Sequence, residues 1–129
     1  MKYDEFVKHV QAVAQTNSLD DAKRAIQATL ETLAQRIHSD EAHDLAVQLP
    51  EEMSPYLRNR QGESGESFSL KEFYQRVADQ EGIDGPTAAT HVNAVFTVLV
   101  QAVTAGEFAD IRANLSHDYE ELFAAKTQK

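Results

Sequence analysis

The segment from Ala22 to Leu57 recurs from Ala88 to Phe123, and this duplication limits the possible folds more than any other feature of the chain. Shifted by 66 positions, seven residues coincide without a gap: Ala22/Ala88, Ala28/Ala94, Leu33/Leu99, Gln35/Gln101, Glu41/Glu107, Asp44/Asp110 and Leu49/Leu115. Ile26/Val92, Leu30/Phe96, Ile37/Val103 and Leu45/Ile111 correspond in character. With one residue of slippage Glu5, Phe6 and Val10 match Glu72, Phe73 and Val77. Any two amphipathic helices share apolar spacing. A shared Gln, Glu and Asp in the same register requires more, and points to an internal repeat.

Within each repeat the periodicity is helical. Tyr3, Phe6, Val7, Val10, Val13 and Ala14 form one apolar face, which Thr16-Asn17-Ser18 ends. Ser18 with Asp21 predicts the cap of a long helix through Ile26, Leu30, Leu33 and Ile37. Ser39 reads as the cap of a short helix to Leu49, and Pro50 as the opening of another through Met53, Tyr56 and Leu57. The second repeat starts at a Ser69 cap, with Leu70, Phe73, Tyr74 and Val77 facing inward. A turn at Gly82-Ile83-Asp84-Gly85-Pro86 leads into the most apolar helix, which Gly106 is expected to break. Phe108, Ile111 and Leu115 belong to a shorter helix, and Ser116 caps a last one through Leu122.

No alternating strand pattern is present, so the fold class is all-α: about eight helices, as two four-helix repeats packed around a pseudo-two-fold axis. The expected organisation is one domain over residues 1–129. It has repeat 1 at 1–60, a linker at 61–68, repeat 2 at 69–125 and a polar tail at 126–129. Gln61 to Ser67 holds two glycines and no apolar residue, which marks it as the linker. Neither repeat is large enough to bury its own apolar faces. The two long helices are therefore expected to pack together, with Leu33 and Leu99 in equivalent core positions.

The formal charge of −9 divides as −3 over residues 1–60 and −6 over 61–129. Such a field repels nucleic acid and anionic lipid. The closest basic pair is Arg58 and Arg60, which an acidic linker follows. With no Cys, disulfides and thiolate metal sites are excluded, and the composition fits a reducing compartment. The first residues lack the apolar region of a signal peptide, and the longest apolar run, Val92 to Ala105, is too short and too polar to span a membrane. The expected location is the cytoplasm.

Ala42-x-x-Leu45-Ala46-x-Gln48-Leu49-Pro50, the Glu72-Phe73 helix opening and Gly106-Glu107-x-x-x-Ile111-Arg112-x-x-Leu115 together resemble the bacterial domain-of-unknown-function family numbered 2267. The likeness covers nearly the whole chain and implies an all-helical, duplicated fold, with no catalytic residues to carry over. Leu115-Ser116 departs from the Leu-Pro usual there. Phe73 to Glu107 is more weakly similar to the helical half of the bacterial histone-like HU proteins, whose helices serve dimerisation. This chain has neither their β-arm nor a basic cluster.

Few residues read as chemistry. Asp40-Glu41-Ala42-His43 spells a helicase box, but no phosphate loop accompanies it. Asp40 and His43 lie one turn apart with His38 and Glu41 nearby, yet His43 and His38 recur as Ala109 and Thr104, so no duplicated metal set exists. His9, His91 and His117 are expected at the surface or at helix ends. No catalytic residue, cofactor or metal is assigned, and the chain is expected not to be an enzyme. Glu41, Asp44, Glu107 and Asp110 stand out as polar identities near helix starts, with two readings. One is stabilisation of the helix dipole, the preferred reading. The other is an acidic interaction surface presented twice. The expected function is a non-enzymatic helical interaction or scaffold domain, with a protein partner or a second copy. The alternative is a module holding a small apolar ligand between the repeats. Nucleic-acid binding by analogy with HU ranks below both.

Overall fold

The computed structural model describes residues 1–58 and 65–124. The described residues form seven α-helices and two 3-10 segments, with no strand: an all-α fold. In order they are α1 (Tyr3–Ala14), α2 (Leu19–Arg36), α3 (Ser39–Gln48), a 3-10 turn (Glu51–Met53) leading into α4 (Ser54–Arg58), α5 (Leu70–Glu81), α6 (Gly85–Ala102), α7 (Ala105–Ala113) and a 3-10 segment (His117–Leu122).

Helix starts follow local chemistry. Ser18 Oγ accepts from the Asp21 amide at 3.1 Å, Ser69 Oγ from Glu72 at 3.1 Å, and Asp84 Oδ1 from Thr87 at 2.8 Å. Each satisfies an amide that the first turn leaves without an intrahelical partner. Two expected boundaries move. Ser39 is the first residue of α3 and His38 occupies the cap position. Gly106 lies inside α7 and does not end α6, because the Thr104 hydroxyl accepts from the Glu107 amide at 3.1 Å and starts the helix before the glycine. The Leu115-Ser116 junction opens a 3-10 segment rather than an α-helix, and the Ser116 hydroxyl makes no cap bond there.

The helices recur at the spacing of the sequence matches. α5 begins and ends 67 positions after α1, and α6 begins and ends 66 after α2. Both α1 and α5 close on a left-handed residue, Gln15 at φ 56° and Gly82 at φ 71°. α1 packs on α2 and on α6, while α5 packs on α6 and on α2. Each first helix therefore lies across both long helices, and α2 and α6 touch along the centre. Ile26, Leu30, Leu33 and Ile37 meet Val92, Phe96 and Leu99 in one core, all fully buried. Each such side chain contributes about 1.5–3 kcal/mol of transfer free energy.

Arg36, at the end of α2, is 8% exposed. Its Nε donates to the Phe68 carbonyl at 2.9 Å, Nη1 to the Asn114 carbonyl at 3.3 Å and Nη2 to Ser116 Oγ at 3.3 Å. The guanidinium also lies 5.1 Å from the Tyr119 ring centre, and the Tyr119 hydroxyl donates to the same Phe68 carbonyl at 2.8 Å. One buried cation thus gathers segments that are far apart in the chain.

Of the expected linker, residues 61–64 lie outside the described residues, as does the tail at 126–129. The described part is anchored. The Gly65 amide donates to the Ile37 carbonyl at 2.8 Å and the Glu66 amide to the Gln35 carbonyl at 2.9 Å. Gly65 has φ +70°, and a Cβ there would stand 3.0 Å from His38 Nδ1, so glycine suits both the backbone and the space.

Candidate functional site: a carboxylate cluster where α3 meets α7

Glu41 and Glu107 are each the third residue of a short helix. A glutamate there commonly reaches back to accept from its own helix's cap amide. Glu5 of α1 does so, accepting from the Lys2 amide at 2.9 Å. On α3 and α7 those amides are taken. The Thr104 amide donates to Gln48 Oε1 at 2.9 Å, and the His38 amide donates to Asn114 Oδ1 at 3.3 Å. His38 and Thr104 are 66 positions apart, as are Gln48 and Asn114, so the exchange between α3 and the end of α7 is reciprocal. Both glutamates are released from capping and turn toward each other.

One carboxylate oxygen each from Glu41, Glu107 and Asp110 lies within 4.8 Å of the others. Glu107 is only 6% exposed, Glu41 is half-buried, and Asp110 and Asp44 are exposed. Glu107 Oε2 and Glu41 Oε2 are buried without a hydrogen-bond donor. Burial pushes the Glu107 carboxyl up to about 8, reinforced by its contact with Glu41 and by the charges of Glu41, Asp44 and Asp110. All four acids singled out from the sequence meet at this one place in the fold. Glu41 and Glu107 lie in the first turns of α3 and α7, as the dipole reading requires, whereas Asp44 and Asp110 stand about a turn further along, and each helix start is set against the other helix's end.

A second feature lies elsewhere. A cleft of about 570 Å³ opens between the α1–α2 and α5–α6 turns, lined by residues including Gln15, Thr16, Asp21, Arg24, Ile83 and Thr90. At its wall His91 is 8% exposed rather than at the surface, and its Nδ1 sits 3.0 and 3.1 Å from the two oxygens of Glu81, whose side chain is covered. The equivalent of His91 in the first repeat is Ala25, so repeat matching could not find this pair. Gln48 and Asn114 were also missed. Two amides 66 positions apart were the available signal, but they differ in residue type.

The fold and this cluster define a small all-α domain with a carboxylate centre between α3 and α7. Residues 3–122 match the model of the family described as "Uncharacterized conserved protein (DUF2267)", and the chain belongs to that family. No curated protein matches it. Among the described residues no helix is long and apolar enough to cross a membrane.

Proposed function

We propose that the chain is a non-enzymatic helical interaction domain, and that the α3–α7 face is its contact surface. The observation that carries this is the convergence of Glu41, Asp44, Glu107 and Asp110, none of which joins an ion pair among the described residues. Gathering like charges costs stability, and a cationic partner would recover that cost. Val47, 65% exposed one turn beyond Asp44 on α3, adds an apolar contact beside the acids. A second copy presenting the same face would be repelled, so the partner is a basic protein surface. The helix pairs at matching offsets and the reciprocal Gln48 and Asn114 bonds support a pseudo-two-fold axis through this face. We place the domain in a bacterial cytoplasm, without nucleic acid or membrane as partner. The absence of Cys and the charge of −9 support that placement.

The test is capture from extract of the source cells, comparing the natural chain with Asp44→Lys/Asp110→Lys. Both positions are exposed, so the core is untouched. A partner retained by the natural chain and lost by the variant supports the reading. Equal capture by both refutes it.

The second reading is the small-ligand module, favoured by the cleft and its buried His91–Glu81 pair. With Asp21, Arg24, Glu81 and His91 on its walls, the cleft suits a polar molecule better than the apolar one expected from the sequence.

A further inference from the structure

We propose that Glu41, Glu107 and Asp110 form a divalent-cation site that ties α3 to α7. Three carboxylate oxygens lie within 4.8 Å of one another. Two ligands of one ion sit at most twice the metal–oxygen distance apart, and that distance is about 2.0–2.6 Å for magnesium and calcium. The 4.8 Å bound fits a single calcium-sized ion touching all three, whereas magnesium would need the oxygens within about 4.2 Å. The donors are all carboxylate oxygens, which selects a hard cation of the calcium, magnesium or manganese kind over zinc or copper.

The second observation is the orphaned oxygen. Glu107 is 6% exposed and its Oε2 has no hydrogen-bond donor, and Glu41 Oε2 shares that condition. Buried carboxylate oxygens are ordinarily satisfied by donors or metal. Here the available donors are diverted, since Gln48 and Asn114 occupy the amides that would have drawn the glutamates back to their own helices. A cation would satisfy both oxygens at once. Asp110 is exposed, which leaves the site open on one side for entry and for the waters that would complete the coordination shell. Asp44 adds charge without being needed as a ligand. The inference uses the same face as the proposed contact surface but stands without the partner.

Thermal unfolding and titration calorimetry on chelator-stripped full-length chain at pH 8 test it, with CaCl2, MgCl2 and MnCl2 as probes and NaCl matched for ionic strength. For a site of sub-millimolar to millimolar affinity, ~10 mM of the preferred ion should raise Tm by about 3–10 °C. Glu41→Gln/Glu107→Gln should abolish that rise. Asp110→Asn, at an exposed position that cannot disturb the core, should weaken binding by at least about tenfold, as losses around metal sites do. Saturable one-to-one heat that both variants diminish supports the site. A rise reproduced by NaCl, a rise unchanged in the variants, or no saturable heat with any of the three ions overturns it. Capture in chelator separates the two readings. If capture still depends on Asp44 and Asp110 but no ion binds, the contact surface stands and the cation site falls. If an ion binds but capture does not depend on those residues, the reverse holds.

Discussion

Glu107→Gln should make the protein more stable, by an amount that grows as pH rises from about 4.5 to about 8. The natural carboxyl is pushed from an ordinary 4.5 up to about 8 by burial and by Glu41, Asp44 and Asp110. Its folded form holds the proton more tightly than the unfolded chain does. The resulting stabilisation is complete below about pH 4.5 and is lost as pH rises through about 8. At about 1.4 kcal/mol per pH unit the ceiling is about 5 kcal/mol. Solvent at the exposed Asp44 and Asp110 side screens the repulsion, which reduces the expected effect to about 1–3 kcal/mol. Glutamine keeps the shape, removes the charge and offers Glu41 an N–H donor at every pH. Urea and thermal melts in chelator should therefore show the variant about 1–3 kcal/mol more stable at pH 9.5, with Tm higher by about 3–10 °C. At pH 4 the two proteins should agree within about 0.5 kcal/mol, because the Glu107 carboxyl is then mostly protonated in the folded and unfolded chain alike. Groups outside the cluster titrate alike in both proteins and cancel in the difference. A variant less stable than the natural chain at pH 9.5, or equally stabilised at both pH values, would refute the reasoning.

Leu33→Ala and Leu99→Ala should each cost about 2–5 kcal/mol in urea unfolding, since both side chains are fully buried between α2 and α6; indifference at either position would break the shared core. Arg36→Met keeps the stem but leaves the Asn114 carbonyl without its donor and the Phe68 carbonyl with the Tyr119 hydroxyl alone, and should cost about 1–3 kcal/mol in the same measurement. Duplex DNA should bind more weakly than the ~10⁻⁴ to 10⁻⁶ M of ordinary non-specific binders at physiological salt. Fluorescence anisotropy reads this; micromolar binding that falls steeply with salt and vanishes in Arg58→Ala/Arg60→Ala would overturn it, Arg60 lying outside the described residues.

Much of the fold was legible because helix periodicity and capping are local. The Ser18, Ser69 and Asp84 caps each need only a residue three positions away, and the apolar stripes of α2 and α6 declare their buried faces without knowing what covers them. The start of α7 was misread for a local reason too: a glycine was weighted above the threonine that caps the helix.

By itself the sequence determined the helical class, the family, the offset of about 66 residues between matching helices, and the four acids repeated in register. Only the tertiary structure decided what those acids do to one another. Glu41 and Glu107 could have capped their own helices, as Glu5 does, and nothing within either segment says otherwise. Gln48 and Asn114 take the cap amides from across the α3–α7 contact, which leaves two ordinary helix-start glutamates facing each other, and burial then pushes the Glu107 carboxyl well above its usual range. Arg36 and the His91–Glu81 pair have the same origin. Their partners stand 10 to 80 positions away, and a charge is held buried only where the packed chain supplies those partners.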